Sequence, residues 1–142
     1  MRTRDKIAWI VFLVAIVLNY TGWGSGSVKP PLITAPGLHV AFITDRLNPT
    51  YLADPRSGIP SEDAIRDYCN EVCSKDAQGQ SNWRLIDKSD DLTTLTPDWQ
   101  AMAKEGLKTS PPTIVAVNGR KWSAISLQEN SDKVREFLKA YQ

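Results

Sequence analysis

Residues 109–127 read Thr-Ser-Pro-Pro-Thr-Ile-Val-Ala-Val-Asn-Gly-Arg-Lys-Trp-Ser-Ala-Ile-Ser-Leu, and this stretch decides the fold. Pro111-Pro112 ends whatever precedes it, because proline has no backbone N–H and a fixed φ. The apolar run at 114–117 predicts a buried strand. Asn118-Gly119 predicts a type I′ turn, which needs positive φ at both central residues, and the alternation after it predicts a second strand. The stretch therefore predicts a β-hairpin that the chain enters through a Pro-Pro step.

Residues 1–23 predict a signal anchor or a signal peptide. Three basic residues precede an unbroken apolar run at 7–18. A run of about a dozen residues suits a signal peptide, whereas counting on to Trp23 reaches the lower limit for a membrane span. Two interpretations stay open. An uncleaved helix would hold the chain in a membrane, with the N-terminus cytoplasmic and the C-terminal domain outside, and a cleaved one would give a secreted or periplasmic protein.

A linker rich in Gly, Ser and Pro follows at 24–37, and a single domain is predicted for 38–142. The chain has 142 residues and a net charge of +1. Acidic and basic residues are interspersed along the domain, so the sequence predicts no basic face of the kind that binds nucleic acid. The membrane, through the N-terminal helix, and a protein or peptide are the partners that we expect.

The order of predicted elements within the domain indicates an α/β fold. Leu38–Thr44 is nearly all apolar and predicts a central strand buried on both faces. The other predictions, in chain order, are a long irregular loop at 45–60, a helix from Ser61 to about Lys75, a strand at 82–87, a helix capped by Thr96, the hairpin, and a helix capped by Ser131. The strand–helix–strand unit predicts a parallel pair, to which the hairpin adds antiparallel strands.

This order, together with Pro112 and Thr113 at the start of the hairpin, resembles the thioredoxin fold over residues 38–142. The resemblance implies a three-layer α/β domain (a βαβ unit, a helix and a ββα unit) with a cis peptide bond at Pro111-Pro112. Redox-active members carry Cys-x-x-Cys after the first strand, where a helix N-terminus lowers the thiol pKa. Residues 45–61 contain no cysteine. We therefore expect a member without disulfide oxidoreductase chemistry.

The resemblance also places Pro112 beside segment 45–61, where family members bind extended peptides by main-chain pairing. The binding residues that we predict are Asp45, Arg46, Tyr51, Arg56, Pro112 and Thr113. A solvated loop is the alternative interpretation of the polar residues. The sequence predicts no catalytic residue and no cofactor, so it favours a protein-binding or scaffolding module over an enzyme.

Cys69 and Cys73 lie four residues apart on one face of a predicted helix. The simplest interpretation is a small buried side chain and a helix-end residue. A disulfide within an intact helix is hindered, because the Cβ atoms are ~5–6 Å apart where a bridge needs ~3.8 Å, but it becomes feasible if the helix ends near Val72.

Cys-x-x-x-Cys behind a membrane anchor also resembles copper chaperones of the Sco type. This resemblance implies, as an alternative function, a thiol redox or copper-handling protein that uses Cys69 and Cys73. Two features depart from that family: the motif lies well inside the helix, and His39 lies upstream of it, in a strand. We expect His39 to pack against the linker or a helix.

Overall fold

The computed structural model describes residues 30–142. The predicted signal or membrane segment at 1–23 and the first part of the predicted linker lie outside the described residues. Within residues 30–142, no helix combines the length and the hydropathy that a membrane crossing needs.

Four strands and three α-helices follow one another in the predicted order, and one short α-helix that the sequence did not predict comes after the first strand. The strands are β1 (Leu38–Thr44), β2 (Trp83–Asp87), β3 (Thr113–Asn118) and β4 (Lys121–Ser126). The helices are α1 (Pro49–Ala53), α2 (Asp63–Val72), α3 (Pro97–Gly106) and α4 (Ser131–Lys139), with 3-10 turns at Pro55–Ser61 and Leu92–Thr94.

The strands form one mixed sheet in the order β2-β1-β3-β4. β1 runs parallel to β2, with Phe42 opposite Leu85, and antiparallel to β3, which pairs antiparallel with β4. The α2 crossover connects the two parallel strands, as a parallel pair requires. The predicted α/β class and the pairing of the strands are confirmed.

Apolar side chains cover both faces of the sheet. All seven residues of β1 are buried, as predicted for a central strand. Phe42 packs with residues of α2 and α4 such as Cys69 and Leu138 on one face. Ile43 packs with α3 residues such as Met102 on the other.

The prediction of a long irregular loop at 45–60 is wrong, because α1 and the 3-10 turn Pro55–Ser61 occupy most of it. Each has its own start signal. The Asn48 side chain accepts from the Thr50 N–H before α1, and the Asp54 side chain accepts from the Arg56 N–H before the 3-10 turn. A proline follows each cap, at the position where its missing N–H costs nothing.

Two predicted helix starts are shifted by one residue. α2 starts after Glu62 rather than after Ser61, because Ser61 still belongs to the 3-10 turn. α4 is capped by Asn130 rather than Ser131, since the Asn130 side chain accepts from the Lys133 N–H.

The hairpin turn is also one residue later than predicted. Asn118 pairs with Lys121, so the central residues are Gly119 and Arg120. Only Gly119 has positive φ (62°), which is the glycine-first arrangement of type II′ turns. The Asn118 amide instead donates to the Tyr141 carbonyl. The predicted cis peptide bond at Pro111-Pro112 is confirmed.

Residues 30–35, which we call the strap, pack on the α3 face of the sheet. Ile33 is 5% exposed and belongs to the same core cluster as Met102. The carboxylate of Asp98, in the first turn of α3, accepts the backbone N–H groups of residues 34 and 35 at 3.1 and 3.2 Å. The later part of the predicted linker thus contacts the domain.

Candidate functional site

A buried carboxylate organises the ends of the two parallel strands. Asp87 ends β2 and is 2% exposed. Its Oδ2 accepts from Thr44 Oγ1 at 2.8 Å and from the Arg46 backbone N–H at 2.9 Å, and its Oδ1 accepts from Ser89 Oγ at 2.7 Å. Burial alone would raise the pKa of Asp87, but the hydrogen bonds from Arg46, Ser89 and Thr44 outweigh burial and hold its pKa well below the usual range. Asp87 is therefore ionised at neutral pH and fixes the start of segment 45–61.

An ion pair between Asp54 and Arg56 connects segment 45–61 to the end of the hairpin opposite its turn. The Arg56 guanidinium donates to both carboxylate oxygens of Asp54, at 2.7 and 3.0 Å, and these side-chain hydrogen bonds lower the pKa of Asp54. Arg56 Nη1 also donates to Ser126 Oγ at 2.8 Å and to the Leu127 carbonyl at 2.9 Å. The Leu127 N–H in turn donates to the Pro112 carbonyl at 3.0 Å. Arg56 and Pro112 are thus linked through one intervening residue.

Tyr51 lies close enough to both Asp87 and Asp54 to feel their charges. It is 4% exposed, and its hydroxyl donates to the Ser57 carbonyl at 3.3 Å. Burial raises the pKa of Tyr51, and the negative charge of Asp87 raises it further. The ring therefore stays neutral and presents an apolar surface.

An open cavity of about 180 Å³ lies against this ring. Its walls are largely apolar, with Tyr51, Leu52, Pro60 and Leu85 among them, and Arg46 also lines it. Leu52 and Leu85 are 59% and 41% exposed, which is high for large aliphatic side chains. The Arg46 side chain is 66% exposed, although its Nε lies 3.4 Å from Asp87 Oδ2. The cavity thus offers apolar walls and one accessible positive charge. We call it the Leu85 pocket.

The Leu85 pocket adjoins an edge of the sheet. β2 is the outermost strand in the order β2-β1-β3-β4, and among residues 30–142 it pairs only with β1. Side chains alternate along a strand, so Leu85 shares a face with Trp83, which packs with Phe42, while Ile86 points to the α3 side. A wall of the pocket is therefore a side chain of the edge strand itself.

The structure brings only some of the predicted binding residues together. Arg46 and Tyr51 line the Leu85 pocket, and Arg56 and Pro112 lie at the hairpin end. The Asp45 carboxylate accepts from the Asn48 amide.

Thr113 is buried, and its hydroxyl donates to the Ser110 carbonyl at 3.2 Å. Sequence reasoning missed Leu85 and Asp87. The available signal was the parallel pair, because the carboxyl ends of parallel strands meet at one edge of a sheet.

The cysteines and the histidine lie away from this pocket. Cys69 and Cys73 are free thiols, 0% and 4% exposed. His39 is buried and packs against Trp99 of α3, with ring centroids 5.8 Å apart, and its Nδ1 lies 3.1 Å from the Gly37 carbonyl. The predicted packing of His39 against the linker or a helix is confirmed. In the part of the chain that the structure describes, no three His, Cys, Asp or Glu side chains are grouped as a metal site.

Comparison of the chain with known proteins gave no matching family model, no similar curated protein and no similar solved structure. Function is therefore inferred from the geometry of the Leu85 pocket and of the strand beside it.

Proposed function

We propose that residues 30–142 form a thioredoxin-like binding module that takes an extended peptide along the outer edge of β2. The single observation that carries this proposal is the position of the Leu85 pocket, whose wall is a side chain of that edge strand. A peptide paired with β2 would place alternate side chains on the face of the sheet that carries Leu85. One of these side chains would then enter the pocket.

The main chain and the pocket have separate roles in this mode of binding. An edge strand presents N–H and C=O groups that an added strand can satisfy, which supplies affinity without reading the sequence. The pocket supplies specificity, because its apolar walls favour an aliphatic or aromatic side chain over a polar one. The exposed positive charge of Arg46 favours an acidic residue, or a C-terminal carboxylate, next to that side chain.

The hairpin end is a less suitable place for main-chain pairing. Pro111 and Pro112 have no backbone N–H, so this step can only accept hydrogen bonds. The Pro112 carbonyl already accepts a hydrogen bond from the Leu127 N–H, and the Leu127 carbonyl already accepts one from the Arg56 guanidinium. The predicted peptide site beside Pro112 stays a weaker proposal of the same class.

The thioredoxin-like relationship is supported by the element order and by the sheet order β2-β1-β3-β4, with α2 and α4 on one face and α3 on the other. The absence of cysteine from residues 45–61 supports a redox-inactive member. We keep the membrane tether, or secretion after cleavage, as a proposal for residues 1–23, with the binding module outside the cytoplasm. Burial of both sulfurs weighs against the alternative, a thiol redox or copper-handling protein, because a substrate or copper cannot reach them unless the end of α2 opens.

A random heptapeptide library displayed on phage and panned against the immobilised full-length chain tests this proposal. We expect enriched peptides that place an apolar residue beside an acidic one. Leu85→Gln should weaken the binding of an enriched peptide at least ~10-fold, a loss of about 1.4 kcal/mol. Ile125→Gln is the matched control, because Ile125 lies on the other edge strand and is 38% exposed against 41% for Leu85.

Three outcomes would overturn the assignment of the peptide site to the Leu85 pocket. The first is failure to enrich any sequence pattern. The second is equal weakening by Leu85→Gln and Ile125→Gln. The third is loss of binding in Arg56→Gln with binding retained in Leu85→Gln, which would move the site to the hairpin end.

A further inference from the structure

Cys69 and Cys73 form a buried pair of thiols that the peptide site does not use. Both belong to the core cluster under α2 and α4, and neither is more than 4% exposed. The hydrogen bond with Cys73, and then burial, raise the pKa of the Cys69 thiol. The Cys69 thiol therefore stays protonated and lies within hydrogen-bond reach of Cys73.

The end of α2 lies between these two residues. The helix ends at Val72, and Cys73 has left the helical conformation with ψ of 149°. One hydrogen bond, from the Cys73 N–H to the Cys69 carbonyl at 3.0 Å, still holds Cys73 at helical spacing. This spacing keeps the Cβ atoms ~5–6 Å apart, whereas a disulfide needs about 3.5–4.5 Å. Within α2 this terminal hydrogen bond opposes closure, and helix ends open more readily than helix centres.

We propose that Cys69 and Cys73 close to a reversible intrachain disulfide when the last turn of α2 opens in the presence of a disulfide oxidant. The Cys73 sulfur, the less buried of the two, loses its proton and attacks the oxidant R–S–S–R, which releases one R–S⁻ that takes up that proton. The Cys69 sulfur then displaces the second R–S⁻ from the mixed disulfide and gives up its own proton. The pair is oxidised by two electrons, and one R–S–S–R is reduced to two R–SH.

Closure of this disulfide acts on the start of β1. The residue after Cys73 is bonded to β1 twice, because the N–H and the hydroxyl of Ser74 both donate to the Leu38 carbonyl, at 3.0 and 3.1 Å. Gly37 approaches Ser74 so closely that a Cβ at Gly37 would lie 2.6 Å from Ser74 Cβ. Movement of Cys73 toward Cys69 pulls Ser74 away from these contacts. Oxidation should therefore loosen the place where the N-terminal segment joins the sheet.

Incubation of the full-length chain with oxidised glutathione, followed by intact mass and peptide mapping, tests the proposal. The expected product has lost two hydrogen atoms and carries a 69–73 cross-link. Cys69→Ser should instead accumulate a glutathione adduct on Cys73, because no second thiol resolves it. Cys73→Ser should form adduct at least ~10-fold more slowly, because Cys69 is fully buried.

Hydrogen exchange separates a closed disulfide from a passive buried pair. In the oxidised chain we expect the Ser74 amide to exchange at least ~10-fold faster, while amides at the centre of β1 stay protected. The wild-type measurement needs no variant, so poor folding of a serine substitution would not hide the result. A chain that keeps both thiols after oxidation, or that stops at a stable glutathione adduct on Cys73, would overturn the proposal.

Discussion

Gly106→Ala reverses the usual effect of that substitution, because α3 approaches the sheet very closely at Gly106. In a helix interior, Ala is more stable than Gly by about 1 kcal/mol. An added Cβ at Gly106 would lie 2.5 Å from Ile43 Cγ1 and 2.9 Å from Val115 Cγ2. Both neighbours are buried strand residues, at 1% and 0% exposure, and their branched side chains have little freedom to move.

The two effects can be compared in magnitude. Insertion of a methyl group into a well-packed core costs about 1–3 kcal/mol. Two contacts below 3.0 Å put Gly106 toward the upper end of that range, and the helix preference returns at most about 1 kcal/mol, because Gly106 is the last residue of α3. We therefore expect Gly106→Ala to lower the free energy of unfolding by about 2 kcal/mol, with α3 displaced from β1 and β3.

Urea unfolding followed by tryptophan fluorescence measures this loss, because Trp99 lies on the same helix. Gly58→Ala is the matched control. No atom lies within 4 Å of a Cβ at Gly58, so we expect a change of less than about 0.5 kcal/mol, or a gain from the less flexible unfolded chain. A Gly106→Ala protein as stable as the wild type, with Gly58→Ala also neutral, would refute the close approach of α3 to the sheet.

Two further substitutions test the strap and the buried carboxylate. Ile33→Ala should lower the free energy of unfolding by about 2–4 kcal/mol if the strap is part of the core, and a change below about 0.5 kcal/mol in urea unfolding would show that the strap is a free tether. Asp87→Asn should lower the free energy of unfolding by about 3 kcal/mol, because the hydroxyl and N–H groups that donate to the Asp87 carboxylate would lose their charged acceptor. The folded-state pKa of Asp87 lies below its unfolded value, so its contribution is complete above the unfolded pKa and is lost as pH falls through and below about 4. The free energy of unfolding of the wild type should fall in that pH window, and that of Asp87→Asn should fall less, because only groups such as Asp54 still contribute. An equal fall in the two proteins would contradict the low folded-state pKa of Asp87.

Local chemistry was sufficient to predict the strands and, to within one residue, the starts of α2, α3 and α4. β1 is apolar at nearly every position because both of its faces are covered, so its composition predicts its burial. The Pro-Pro step marks the start of β3 because proline cannot continue the preceding segment. These features depend on nearest neighbours in the chain, which is why the sequence alone indicates them.

Features set by distant contacts were harder to predict. The hairpin turn begins at Gly119, and the Asn118 amide donates to the Tyr141 carbonyl, a partner that nothing near Asn118 in sequence signals. The Leu85 pocket exists because segment 45–61 folds over the end of β2. The hydrogen bond from the Arg46 N–H to the Asp87 carboxylate holds the two together. The sequence around Leu85 predicts only a strand and gives no sign of a pocket.

Stability and binding are coupled at Asp87 in the site that we propose. Its carboxylate holds both the backbone N–H and the Nε of Arg46, so the same group that stabilises the end of β2 also sets the position of the positive charge at the Leu85 pocket. Asp87→Asn should therefore weaken acidic peptides more than neutral ones, beyond what lower stability explains. A substitution in the core away from the pocket, such as Gly106→Ala, lowers stability without this selectivity. The contrast between these two variants separates a binding role of the Asp87–Arg46 pair from a purely structural one.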